Sequence, residues 1–187
     1  MKIGVLAVQG GFAAHARMLA GLGADPILVR RPADLGDVAG LVLPGGESTA
    51  MLTGLARDGL EAPVRAWTRS RRPVFGTCAG AILLACGVAH PAQRSFTALD
   101  LDVERNAYGT QLDSFTAVVD PGGAFPGLHA IFIRAPRIVR VGDGVEVLAR
   151  VAGEAVLVRS GAAWAATFHP ELGDDARVHR AWLREIS

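Results

Sequence analysis

The chain has 187 residues, half of them hydrophobic and a fifth charged, with 19 basic residues against 18 acidic. That is enough chain to bury one sizeable core, and a net charge of +1 leaves no electrostatic footprint for nucleic acid or an anionic membrane. No apolar run is long enough to cross a bilayer, so a soluble, cytoplasmic protein is expected.

In chain order, the apolar stretch Ile3 to Val8 predicts a first strand, ended by Gln9-Gly10. An amphipathic segment from Phe12 to Leu22 predicts a helix that stops at Gly23. Pro26 to Arg30 and Gly40 to Leu43 are the next strand candidates, the second closed by Pro44-Gly45-Gly46. Helical pieces are expected at Thr49–Arg57 and Ala62–Arg69. Pro73 to Phe75 then leads through Gly76 into an apolar helix from Ala79 to about Cys86. Short strands buried on both faces and separated by helices predict a parallel α/β sheet with right-handed crossovers.

From Leu99 the texture changes. Leu99–Glu104, Gln111–Val118, Ala130–Ile133, Val145–Val151, Ala155–Arg159 and Ala163–Phe168 read as strands, with Asp143-Gly144 and Ser160-Gly161 as turn signals. No linker separates the halves, so these strands are expected to add hairpins to the sheet within a single domain, 1–187. Asp174 to Ile186 closes the chain as a helix capped by Asp174 or Asp175.

The strongest local signal is Phe75-Gly76-Thr77-Cys78-Ala79-Gly80, set between an apolar strand and an apolar helix. This is the strand–turn–helix elbow of G-x-S-x-G enzymes with a thiol in the nucleophile position. The flanking glycines permit a sharp turn, and a helix N-terminus favours thiolate. A small buried cysteine in a Gly-rich turn is the bland alternative. Cys86, eight residues further on, would lie about 12 Å away along a helix, too far for a disulfide. It reads as a packed core thiol, and Trp67, Trp164 and Trp182 read as packing residues.

Of the five histidines, His90, His129 and His179 read as solvated or packing residues, and His15 as a surface or interface residue on the first helix. His169 differs, because it ends an apolar run and is followed by Pro170-Glu171. Residues two apart in an extended chain point the same way, so His169 and Glu171 can face one pocket, the carboxylate orienting the imidazole. Leu43-Pro44-Gly45-Gly46-Glu47-Ser48-Thr49 follows a strand and opens a helix, a place where backbone N–H groups can receive an oxyanion. Ser48 is a candidate N-cap there. No P-loop, dinucleotide fingerprint or metal-ligand spacing is present, so neither a cofactor nor a metal is expected.

Together the elbow cysteine, the Gly-Gly loop and His-x-Glu resemble a class I (triad) glutamine amidotransferase domain. Gly4–Gly10, Leu43–Thr49, Glu104-Arg105-Asn106, Gln111–Phe115, Phe132–Pro136 and Phe168–Leu172 narrow the resemblance to the glutaminase subunits of pyridoxal 5′-phosphate synthase. The resemblance implies a three-layer, flavodoxin-like α/β fold and hydrolysis of L-glutamine, with ammonia passed to a separate synthase (lyase) subunit. It also implies Cys78 as nucleophile, His169 as acid/base and Glu171 as its orienter. Glutamine binding would fall to Gly46, Glu47, Ser48, Arg105, Ile133 and Arg134, and the oxyanion to the backbone of Gly46 and Ala79. Gln9 and His15 are candidate relays of partner docking to the oxyanion loop. Departures from the family pattern are Thr110, Gly11-Phe12 and the stretch from Gly87 to Ser95. A glutaminase feeding another synthase, such as that for imidazole glycerol phosphate, a related cysteine hydrolase and a non-catalytic binding subunit are the rival readings.

Overall fold

The first six residues already show how the sheet is buried. In the computed structural model, which describes residues 1–105 and 114–186, Ile3, Val5 and Leu6 are wholly buried in strand β1 (Lys2–Leu6). Helix α1 (Phe12–Gly21) leads to β2 (Asp25–Val29), and a single 3-10 turn at Pro32–Leu35, which hydrophobic periodicity does not reveal, precedes β3 (Gly40–Leu43). Two helices, α2 (Ser48–Arg57) and α3 (Glu61–Arg69), return the chain to β4 (Val74–Thr77), and α4 (Ala79–Leu84) follows after one residue. Strands β1 to β4 pair in parallel, as expected from apolar runs separated by helices.

The second half supplies β5 (Ala85–Ala89), β6 (Leu99–Glu104), β7 (Ser114–Val118), β8 (His129–Ile133), β9 (Arg137–Val141), β10 (Glu146–Val151), β11 (Glu154–Ser160), β12 (Ala163–Ala166) and α5 (Arg177–Ile186). The main sheet has seven strands in the order β10-β11-β12-β4-β3-β1-β2. β12 joins β4 in parallel, while β11 and β10 extend that edge as antiparallel hairpins. The parallel part follows the flavodoxin-like order, with β12 in fifth place.

Alternation along each strand divides the core into two layers. Leu6, Leu41, Leu43 and Val74 face α2, α3 and α4, and Ile3, Val5, Val42 and Phe75 face α1 and α5. Trp67 belongs to the first layer and Trp164 and Trp182 to the second, all as packing residues.

Several expectations need correction. β6, β7 and β8 do not extend the main sheet: β5-β6-β9 form a three-stranded sheet and β7-β8 a two-stranded one. The predicted helix to Cys86 ends at Leu84, because Ala85 turns extended and Gly87 lies against Asp102 of β6, where a Cβ would sit 2.2 Å from Oδ1. Cys86 is consequently exposed on β5 rather than packed in the core. β9 escapes a hydrophobicity reading because its pairing with β6 is dressed in charge, Arg140 meeting both Asp100 and Asp102. The last helix begins at Arg177, with the Asp175 carboxylate accepting the Arg177 N–H at 3.0 Å. Asn106, Thr110 and the first part of the expected strand at Gln111–Val118 lie outside the described residues.

Candidate active site

The carboxyl ends of β1, β3, β4 and β12 converge on one region, beside the point where strand order reverses between β1 and β3. Ligands of open α/β sheets bind at such a point. The turn out of β4 is sharp. Cys78 has φ +48° and ψ −103°, a backbone conformation that L-residues rarely adopt, immediately before α4. Two glycines make this possible. A Cβ on Gly80 would lie 2.0 Å from the Leu43 carbonyl oxygen, and one on Gly76 2.6 Å from the Gly80 backbone. The Cys78 N–H donates to the Ala166 carbonyl at 2.8 Å, anchoring the elbow to β12. Its thiol reaches toward the Ile133 carbonyl at 3.9 Å.

His169 follows β12 and is fixed by its own N–H, which donates to the Ile131 carbonyl at 2.8 Å. Glu171, two residues on, is buried behind it with Oε1 2.7 Å from His169 Nδ1. Gly45 packs against both His169 and Cys78: a Cβ there would lie 2.3 Å from His169 Cε1 and 3.3 Å from Cys78 Cβ. The cysteine and histidine thus share one glycine seat although 91 positions separate them in the chain. Burial by itself lowers the His169 pKa, but hydrogen bonds to Cys78 and Glu171 and the carboxylate charge outweigh it and raise the pKa to about 10. The arrangement favours an imidazolium beside the Cys78 sulfur.

This has a consequence for stability. An unfolded histidine releases its proton near 6.5, whereas folded His169 keeps it to about 10. Through that window the unfolded chain binds fewer protons than the folded one, so stability falls as pH rises. The contribution is fully present below 6.5 and gone above 10. Urea unfolding of wild type and His169→Asn between these limits should show the stability gap moving against the wild type as pH rises. A pH-independent gap contradicts the assignment.

In front of Cys78 and His169 opens a cleft of about 200 Å³. Gly46, Glu47, Ser48, Arg105, Ile133 and Arg134 all line it, as does Gln9. Glu47, rather than Ser48, caps α2: its carboxylate accepts the Thr49 and Ala50 N–H groups at 3.0 and 2.6 Å. Partial burial pushes the Glu47 pKa up, but these bonds and the Arg105 guanidinium hold the carboxyl below its usual range. Ser48 instead donates its hydroxyl to Gln93 Oε1 at 2.9 Å. Gln93 and Ile82, the latter on the cleft wall, carry no motif and were beyond the reach of sequence patterns.

The Gly45–Gly46 peptide is held from the side of β1. Its carbonyl accepts the Gly11 N–H at 2.9 Å, while Gln9 Oε1 accepts the Glu47 N–H at 3.1 Å. Ala79 is buried at the first position of α4. His15 corrects its expected surface position, being wholly buried with Nε2 3.0 Å from Thr77 Oγ1 and 3.4 Å from Glu171 Oε2. His179 is likewise buried, whereas His90 and His129 are exposed.

Residues 5–187 match the SNO glutamine amidotransferase family. The chain belongs to that family. It is 53% identical to the pyridoxal 5′-phosphate synthase subunit PdxT of Solibacter usitatus, over 99% of each chain. Against the protein of the same name from Koribacter versatilis it is 51% identical, over 100% of this chain and 96% of the relative. A crystal structure of a glutamine amidotransferase superposes with a TM-score of 0.90 at 42% identity, covering 98% of both chains. The mostly parallel sheet with flanking helices and added antiparallel strands is the amidotransferase architecture.

Proposed function

We propose that this chain is the glutaminase subunit of a pyridoxal 5′-phosphate synthase, hydrolysing L-glutamine to L-glutamate and ammonia for a separate synthase subunit. Membership of the amidotransferase family and full-length similarity to PdxT proteins support the assignment. The observation that carries the chemistry is the seat at Gly45, against which Cys78 and the His169–Glu171 pair both pack.

The Cys78 thiolate attacks the carboxamide carbon, and negative charge moves to the carbonyl oxygen. Backbone N–H groups of Gly46 and Ala79 receive that charge. The His169 imidazolium gives its proton to the departing nitrogen, ammonia leaves, and a thioester remains on Cys78. Neutral His169 then takes a proton from water, whose oxygen attacks the thioester and releases glutamate. Glu171 keeps the imidazole oriented and stabilises its charged form. Arg105 and Arg134 place positive charge on the cleft wall for the substrate carboxylate, with Gly46, Glu47, Ser48 and Ile133 shaping its seat.

Ammonia set free in water is lost by diffusion and protonation, so a subunit that hydrolysed glutamine alone would waste it. Activation therefore belongs to docking of the synthase, through reorientation of the Gly45–Gly46 peptide. Gln9, bonded to the Glu47 N–H across that loop, is the surface-accessible relay. His15 has no surface and can act only from behind Glu171. The test is ammonia release from glutamine with and without added synthase subunit. Release should rise on addition of that subunit and not on addition of the synthase partner of another amidotransferase. Equal rates in all three mixtures overturn the coupling, and no release in any of them overturns the glutaminase assignment.

A further inference from the structure

We propose that His15 and His179, which lie outside the cleft, are positioning residues that hold Glu171 through a one-way chain of N–H donors. The chain starts from an unmet need. Glu171 has a wholly buried side chain whose Oε1 is taken by His169, while Oε2 has no partner within ordinary hydrogen-bond reach. His15 Nε2 stands 3.4 Å from it. On the opposite edge of that ring, His15 Nδ1 lies 2.9 Å from His179 Nε2, so α1 and α5 each contribute one imidazole to a line running from the second core layer to the triad.

Both rings are neutral. Burial, followed by the charges of His179 and His169, holds His15 well below its ordinary pKa, and burial lowers His179 to about 4. A neutral imidazole has one N–H and one lone pair, so the pair has two self-consistent arrangements. In the first, His15 donates from Nδ1 to His179. His179 must then carry its proton on Nδ1, which is buried without a partner, and the His15 Nε2 lone pair faces the Glu171 carboxylate. That arrangement lets the Thr77 hydroxyl donate to the His15 Nε2 lone pair at 3.0 Å, but it strands a buried N–H on His179 and leaves Glu171 Oε2 with no donor facing it. In the second, His179 Nε2–H donates to His15 Nδ1, leaving His15 Nε2–H to face Glu171 Oε2 and Thr77 Oγ1. Only a bare ring nitrogen is left without a partner. The second arrangement wins on both counts.

His179 therefore sets the tautomer of His15, and His15 presents a donor to the oxygen of Glu171 that His169 does not use. With His169 bonded to Oε1 and the His15 N–H directed toward Oε2 from 3.4 Å, the carboxylate is biased toward the orientation that keeps Oε1 aligned on His169 Nδ1. The inference rests on the orienting role proposed above for Glu171, so its test has one arm that needs no turnover. Nitrogen-15 spectra of the histidine-labelled protein at neutral pH should show both His15 and His179 protonated on Nε2. An Nδ1–H tautomer at either ring overturns the proposal, whatever the enzyme does. The second arm is kinetic, with the synthase subunit present. His179→Leu removes the donor and should lower kcat by about tenfold to a hundredfold, the range for loss of an outer-shell orienting group, with KM for glutamine unchanged. His179→Gln, whose amide N–H can stand where Nε2–H stood, should restore kcat to within about threefold of wild type. Equal losses in both variants reduce His179 to packing and overturn the proposal, as does a wild-type kcat in His179→Leu. Absence of turnover in the wild type itself indicts the glutaminase reading instead, and the spectra then decide the tautomers alone.

Discussion

Cys78→Ala is expected to abolish glutamine hydrolysis, by about 10⁴-fold or more in kcat, while the protein stays folded. The two halves of that expectation have separate physical grounds. In the proposed mechanism there is no thioester without sulfur, and neither the cleft nor the amides proposed to bind the oxyanion can replace a covalent intermediate. The fold survives because alanine keeps the Cβ, so the φ of +48° carries the same strain before and after the change. Among the described residues, the hydrogen bond lost outside the triad is the long thiol contact to the Ile133 carbonyl, 3.9 Å. Melting should therefore move by a few degrees at most, the shift expected for about 1 kcal/mol in a domain of this size. His169 loses one of the two hydrogen-bond partners that raise its pKa, so its proton should come off at lower pH in the variant. Ammonia release, a thermal melt and NMR titration of His169 measure the three effects, and wild type is labelled in parallel by a glutamine analogue with an electrophilic carbon. Persistent turnover in Cys78→Ala would sink the assignment of the nucleophile. Failure of the analogue to label wild type would favour a non-catalytic subunit.

What sequence could and could not reveal here follows from the range over which each signal acts. The Cys78 elbow is written in six consecutive residues, because the constraint is local: Gly76 and Gly80 are needed where the backbone turns on itself and on Leu43. His169-Pro170-Glu171 is legible for the same reason, being one extended tripeptide with both side chains on one side. The layered packing of β1, β3 and β4 also follows from alternation within single strands. The misreadings have the opposite character. Two of the five residues of β9 are arginines, and Arg140 is matched by acidic residues of β6 some forty positions away. His15 looks like a surface residue in a helix whose neighbours are alanines and arginine. Its burial is decided by Thr77 and His179, 62 and 164 positions distant. Serine is the commoner N-cap, yet at α2 the longer Glu47 side chain takes that role one residue earlier, accepting the Thr49 and Ala50 N–H groups while also meeting Arg105.

Glu171→Gln should prove nearly as damaging to turnover as loss of the nucleophile, lowering kcat by about 10⁴-fold with little change in KM. The substitution conserves shape and removes charge, which isolates the electrostatic role. Glu171 is a positioning residue in the proposed mechanism, touching the imidazole and not the substrate. With carboxylate Oε1 at 2.7 Å, His169 holds a proton on Nδ1 and turns Nε2 toward the sulfur. A glutamine amide can be placed two ways in that buried slot. If its NH2 faces His169, the imidazole must present a lone pair at Nδ1 and carry its proton on Nε2, so it can no longer take one from the thiol or from water. If its oxygen faces His169, the NH2 confronts His15 Nε2, 3.4 Å from the present carboxylate, and the buried imidazole pair must re-protonate to accept it. Each placement also removes the negative charge that helps hold the His169 pKa near 10. Less imidazolium then stands at neutral pH, so the pH dependence of the rate that remains should shift with the lowered His169 pKa. A pH–rate profile of Glu171→Gln unshifted from wild type, at any absolute rate, would mean that the carboxylate does not set the protonation of His169.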